Sequence, residues 1–221
     1  MADRSVGWLT SAGTAPVCAS TRRARLPRRV LGRMTAQPIT LGTASLTRIP
    51  LLTPDGQPAS LAAFPGPLVV QFVRYFGCLP CQAYLRALDA SVDALADAGT
   101  TAIAVGGSAD YQARWLRDTG VRMPLLLDPD QRLRDAVGFG SLSGRQLMAP
   151  RGLRTYAAAV LSGIRPQRVT GDVRRSPGIA ILDTAHDVRW TYEGTALGDY
   201  PSLEEVLAAV GLVTPGKQQD G

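Results

Sequence analysis

The sequence predicts an α/β domain, a mixed central sheet with helices on both faces. Three observations carry this. Residues 68–73 and 101–105 are near-continuous apolar runs, as expected of strands covered on both sides. Stretches with apolar residues at helical spacing separate them. Two short β-type runs close on each other as a hairpin before a last amphipathic stretch. The 221 residues are 45% hydrophobic and 19% charged, enough to bury a core, which excludes wholesale disorder. No apolar run approaches the ~18 residues needed to span a bilayer.

Each element has its own reason. Residues 46–52 read as a short strand turned by Thr53-Pro54-Asp55-Gly56, and 60–64 as a brief turn closed by Pro65-Gly66-Pro67. After the strand at 68–73, Cys81, Leu85, Leu88, Val92 and Leu95 predict one helix over 79–98, stopped by Gly99. The strand at 101–105 ends at Gly106-Gly107. Ser108 or Asp110 then caps a helix with Trp115 and Leu116 inward and Gly120 at its end. Residues 124–127 are a third strand, and Asp128-Pro129-Asp130 starts a short helix through Val137. Residues 139–176 read as an insertion. Leu153, Tyr156, Ala157, Val160, Leu161 and Ile164 form an apolar stripe that predicts a helix inside it. Residues 179–182 and 188–192 make the hairpin across 183–187. Ser202 caps a last helix whose Leu203, Val206, Leu207 and Val210 face inward.

The net charge of +6 invites a nucleic-acid reading until it is located. Residues 1–34 hold seven arginines against Asp3, whereas 35–221 hold 17 basic and 17 acidic groups. Residues 1–40 are therefore read as a basic, disordered extension. A transit peptide and an over-extended translation upstream of Met34 are the alternatives, and no secretory apolar segment is present. Residues 41–213 form the domain and 214–221 a flexible tail. A charge-neutral body without a basic stripe predicts no nucleic-acid and no membrane partner, and the expected location is cytoplasmic.

The chemistry lies in Cys78-Leu79-Pro80-Cys81, where a buried strand meets a helix N-terminus. Unpaired N–H groups and the helix dipole there stabilise a thiolate on Cys78. Cys81, one turn on, shares the apolar stripe and should be the more buried. The inferred roles are Cys78 as exposed nucleophile and Cys81 as the group that resolves its adduct into a disulfide. Pro80 fits the first helical turn. Zinc would need two further ligands, but His186 is alone and Cys18 lies in the extension, so no metal is expected. A structural disulfide lacks an export signal to go with it. Gly138-Phe139-Gly140 begins a dinucleotide-like pattern without completing it, and His186 falls in the hairpin turn, which removes triad hydrolases.

This C-x-x-C after the first central strand, with the order of elements around it, resembles the thioredoxin superfamily. Residues 73–81 resemble the active-site segment of AhpC/TSA-type antioxidant proteins of the peroxiredoxin-like 2 group. Leu125-Leu126-Leu127-Asp128-Pro129-Asp130 with Leu133 and Gly138, Gly171-Asp172 and Gly198-Asp199 are similar to further segments of that group. The resemblance covers about 41–212. It implies a thioredoxin-like fold and thiol-based reduction of peroxide or disulfide, with no metal or organic cofactor and a thioredoxin- or glutathione-type thiol donor. Cys78 takes the peroxide-reacting role and Cys81 the resolving one. Pro177 falls where such proteins place a cis-proline facing the dithiol, with a plain strand-entry proline as the alternative. Arg74, Arg174 and Arg175 are candidates to favour a thiolate, Arg74 and Pro177 also to meet substrate. One departure stands out: Gln71 and Tyr75 occupy the positions of a Pro and a Thr/Ser that hold peroxide in typical peroxiredoxins. A protein-disulfide reductase, or a redox-inert thioredoxin-like binding module recruited by its basic tail, are the competing readings.

Overall fold

The structure, a computed structural model, describes residues 46–107 and 109–213. The basic extension, Cys18, Ser108 and the tail at 214–221 lie outside the described residues.

Five strands form the main sheet: β3 (Leu68–Phe72), β4 (Thr101–Val105), β5 (Leu125–Leu126), β6 (Gly178–Leu182) and β7 (Val188–Glu193), in the order β5-β4-β3-β6-β7. Strands β3, β4 and β5 are parallel, while β6 runs antiparallel to β3 and to β7. A separate two-stranded pair, β1 (Leu51–Leu52) with β2 (Pro58–Ala59), lies upstream. Burial of both faces of β3 explains its near-continuous apolar run. Val69 joins one buried cluster with helices α1 (Leu79–Asp89), α3 (Asp110–Asp118) and α7 (Leu203–Val213). Leu68, Val70 and Phe72 join a second on the opposite face with α4 (Arg132–Val137). The expected mixed sheet flanked by helices is the observed architecture.

Several elements differ from the sequence reading. Residues 46–48 form a 3₁₀ turn, and only Leu51–Leu52 is strand; Pro50 has no N–H to extend a ladder. The helix predicted over 79–98 breaks into α1 and α2 (Val92–Asp97). At the break, the Asp89 carboxylate accepts from the backbone N–H groups of Arg122 (2.8 Å) and Met123 (2.7 Å), which anchors the loop ahead of β5. Trp115 is exposed rather than inward, stacked under the Arg86 guanidinium, whereas Leu116 is buried. On α7, Val206, Ala209 and Val210 are buried and Leu207 is exposed; Ser202 caps the helix as expected, and Glu205, which the sequence reading did not single out, completes a capping box with it.

The insertion holds two helices, α5 (Gly144–Leu147) and α6 (Pro150–Leu161). An apolar stripe ordinarily turns to the core, but α6 buries only Gly152 and Ala159, and its large apolar side chains face outward. The cis peptide bond among the described residues is Gly66–Pro67, so of the two readings of Pro177 the structure has the plain strand-entry proline and not the cis one. His186 sits in the hairpin turn with φ 65°, as its position predicts.

Candidate active site

Strand β3 ends at Phe72, and the chain turns over residues 73–77 before α1 begins. The Cys78 N–H donates to the Tyr75 carbonyl (3.1 Å), and the Cys78 carbonyl accepts from Gln82 N–H (2.9 Å), which closes the first helical turn. Cys78 thus caps α1 with extended backbone, and Pro80 occupies the first turn where no N–H is needed. Cys81 follows one turn later, its carbonyl accepting from the Gln71 side chain (3.2 Å). Both cysteines are free thiols.

Cys78 is 1% exposed and Cys81 0%, so the expectation of an exposed Cys78 is not met. The connection after α6 is the reason. The buried Gln112 side chain accepts from Gly77 N–H (2.9 Å) and from the Thr170 hydroxyl (2.7 Å), and donates to the Arg168 carbonyl (2.7 Å). One amide therefore ties the cysteine loop to its cover. Gly171 packs against Arg74 and Tyr75 so closely that a Cβ there would lie 3.1 Å from the Arg74 carbonyl.

Arg74 is 3% exposed. Its Nη2 donates to Cys78 Sγ at 3.1 Å and its Nη1 to the Val173 carbonyl at 2.5 Å. Burial works against its charge, but the two cysteines more than compensate and raise its pKa. Burial also opposes a thiolate on Cys81. Against it act a hydrogen bond from Cys78, the Arg74 charge and the Tyr200 hydroxyl, and the thiol falls to about 6. Cys78 moves the other way: burial, then the adjoining Cys81, push it well up despite Arg74. The two sulfurs are hydrogen-bonded, so the pair gives up one proton readily and keeps the second, because two buried anions would face each other.

Three residues that sequence reasoning missed complete the surroundings. Arg134, fully buried, donates to the Val73 carbonyl (2.6 Å) and to the Ser176 carbonyl, which joins the end of β3 to the start of β6. Asp128 delivers it: the carboxylate accepts from the N–H groups of Arg132 (3.0 Å), Leu133 (3.1 Å) and Arg134 (3.4 Å) and so starts α4. Burial raises the Asp128 pKa despite these bonds. Tyr200 donates to the Phe72 carbonyl (3.1 Å) and stacks on Tyr84. Gln112 is the third. An arginine amid Leu133 and Val137 was the one available signal; Gln112 and Tyr200 gave none.

The remaining sequence candidates are placed as follows. Pro177 lies at the same sheet end, one residue before the Gly178–Phe72 pair, and its carbonyl accepts from Gly194 N–H (2.7 Å). Arg175 pairs with Asp135 (2.9 Å), and the exposed Arg174 takes a backbone bond to Asp172 (2.9 Å). Gly198 approaches Pro80: with φ 66°, a Cβ there would lie 2.5 Å from Pro80 Cβ and 2.6 Å from Thr155 Cγ2. Asp199 accepts from Tyr192 (2.9 Å) and pairs with Arg151 (2.8 Å) of α6. Among the described residues no cluster of three or more His, Cys, Asp or Glu could hold a metal ion.

Residues 44–154, half of the chain, match the AhpC/TSA family, and this span contains Arg74, Cys78, Cys81 and Arg134. No curated protein matches the sequence. Among solved structures, a peroxiredoxin Q of Xanthomonas campestris is 18% identical with TM-score 0.54, covering 78% of this chain and 95% of that one. The peroxidoxin BcpB of Mycobacterium tuberculosis is 14% identical with TM-score 0.52, covering 75% and 93%. At such identities the two establish a shared fold. The chain therefore belongs to the AhpC/TSA family, peroxiredoxin-like antioxidant proteins of thioredoxin fold whose redox chemistry is carried by thiols.

Proposed function

We propose that this protein is a thiol-dependent peroxidase in which Cys78 is the nucleophile and Cys81 the resolving cysteine. The observation that carries the reading is the Arg74 guanidinium 3.1 Å from Cys78 Sγ inside a buried site. The pair's single negative charge rests on Cys81, and a charge-assisted contact in low dielectric steadies the thiolate on Cys78 once the proton the two sulfurs share passes to Cys81. The thiolate attacks a peroxide oxygen: an S–O bond forms, the O–O bond breaks, and the leaving oxygen takes a proton to become water or an alcohol. Cys81 then attacks the sulfenic acid sulfur, forming the Cys78–Cys81 disulfide and releasing water. A dithiol donor returns two electrons and two protons. Arg74 Nε and Gln71 Oε1, both buried, have no protein partner among the described residues and offer a donor and an acceptor for peroxide oxygens. Entry to Cys78 requires the cover around residues 167–173 to shift. No described helix is long and apolar enough to cross a membrane, and we place the chain in the cytoplasm, whose reducing poise keeps both thiols free.

A second reading, a protein-disulfide reductase without peroxidase activity, is favoured by a specific observation. The Tyr75 ring lies under Arg74 at 5.8 Å and the Gln71 amide serves Cys81, so neither position holds the small hydroxyl or proline of a peroxide cradle. Turnover with peroxide and with a disulfide substrate, each driven by excess dithiothreitol, separates the two. Peroxide consumption in the wild type, abolished in Cys78→Ser and slowed in Cys81→Ser, is expected. Undiminished turnover in Cys78→Ser contradicts both readings, and turnover with disulfide alone selects the second.

A further inference from the structure

Net neutrality of the body hides a split. Residues 139–176 carry seven arginines and Asp172, whereas the rest of the span 46–213 carries nine arginines and fifteen acidic groups. Within the charge-neutral body the basic excess is thus concentrated on the segment beside the dithiol. The same segment turns its apolar stripe outward: Leu153 is 51% exposed, Val160 49% and Leu161 87%, with Tyr156 between them. Exposed apolar surface of this kind beside a site marks an interaction face. The face adjoins the cysteines. Thr155 meets Gly198, which rests on Pro80, and beyond Leu161 the surface enters a cleft of about 330 Å³ lined by Arg86, Trp115, Ser162 and Arg165. Arg86, Arg154, Arg165 and Arg168 have no carboxylate partner among the described residues.

From this we infer that the outward face of α6 and the residues to Arg168 form the docking surface for an acidic protein that carries a dithiol, the electron donor of the site proposed above. Charge selects the occupant. A second copy meeting this face with its own equivalent would oppose arginine to arginine, whereas an acidic surface with an apolar centre complements both the stripe and its border. The inference rests on the proposed redox reading, since docking here matters because it brings a donor thiolate to the disulfide. That thiolate bonds to Cys78 sulfur as the Cys78–Cys81 bond breaks. The donor's second thiol then closes onto the first, leaving the donor oxidised and both cysteines reduced, with two electrons and two protons transferred.

The test uses the full chain oxidised to its Cys78–Cys81 disulfide and two donors: a thioredoxin of net negative charge, and dithiothreitol. Two surface variants are compared, Leu153→Ser with Val160→Ser, and Arg154→Glu with Arg165→Glu. All four positions are exposed, so the fold is retained. The rate constant with the acidic thioredoxin is expected to fall about tenfold in each double variant, and to fall in the wild type as salt is raised. Rates with dithiothreitol stay unchanged. Equal thioredoxin rates in wild type and variants, with normal reduction by dithiothreitol, overturn the docking surface and leave the redox reading intact. Failure to form the disulfide at all overturns the redox reading and the surface with it. Association with a second copy, or with phosphatidylglycerol vesicles, that is lost in these variants while thioredoxin rates hold also overturns the assignment.

Discussion

Replacing Arg74 by leucine removes the one cation in contact with Cys78 among the described residues. Its Nη2 lies 3.1 Å from the sulfur and the residue is 3% exposed. With charge centres about 4 Å apart and an effective dielectric near 20, the Coulomb attraction is about 4 kcal/mol. Water entering the space left by the side chain offsets part of this, and an opposite charge at such range lowers a pKa by about 1–3 units. Loss of Arg74 should therefore raise the first ionisation of the dithiol from about 6 to about 8, a difference of about 2.7 kcal/mol. At pH 7 the thiolate fraction falls from about nine-tenths to about one-tenth, so alkylation by iodoacetamide slows about tenfold, and at pH 9 the two proteins differ less than about twofold. The assay is a pH titration of thiolate ultraviolet absorbance together with the alkylation rate. Arg74→Lys keeps a point charge but not the paired contacts to Cys78 and Val173, and should recover part of the shift. A midpoint that moves by less than about half a unit in Arg74→Leu would refute the argument, leaving Arg74 only its bond to Val173.

Three further outcomes follow from the same contacts. Cys81 is lowered to about 6 and Cys78 raised above the usual 9.0, so between those values the unfolded chain binds one proton more than the native one and stability rises with pH. Above 9.0 the unfolded chain loses a Cys78 proton that the native chain keeps, and stability falls; thermal unfolding of the reduced protein should peak near that pH, and Cys81→Ser should lose the rising limb. Arg134→Met leaves the Val73 and Ser176 carbonyls without their donor and should cost about 3 kcal/mol, read as a lower urea midpoint at constant slope. Gly198→Ala forces a Cβ to within 2.5 Å of Pro80 at φ 66°; a loss of about 2 kcal/mol is expected, with slower Cys78 alkylation, and an unchanged melting temperature contradicts the close approach.

Periodicity and punctuation carried most of the architecture. The apolar runs of β3 and β4, the C-x-x-C at the start of α1 and the Asp128 signal ahead of α4 were all legible, because each is a local pattern with a local cause. What stayed hidden was set by distant partners. The break between α1 and α2 depends on Asp89 being taken by Arg122 and Met123, and the burial of Cys78 depends on Gln112 holding a connection 56 residues away in sequence. Arg134 and Tyr200 act on the site through the carbonyls of Val73 and Phe72, an acceptor role that any residue type can fill and no pattern reports. The stripe on α6 was visible, but periodicity specifies a face and not what covers it.

The central claim is that the Cys78–Cys81 pair is a working dithiol. Mass spectrometry of the reduced protein trapped before and after one equivalent of peroxide tests it most directly. The account predicts two free thiols first, then loss of two hydrogens with a peptide cross-linked through Cys78 and Cys81, and a stable oxygen adduct on Cys78 in Cys81→Ser. Cysteines left unmodified by both peroxide and a disulfide substrate, or oxidation that falls on Cys81 with Cys78 intact, would contradict it.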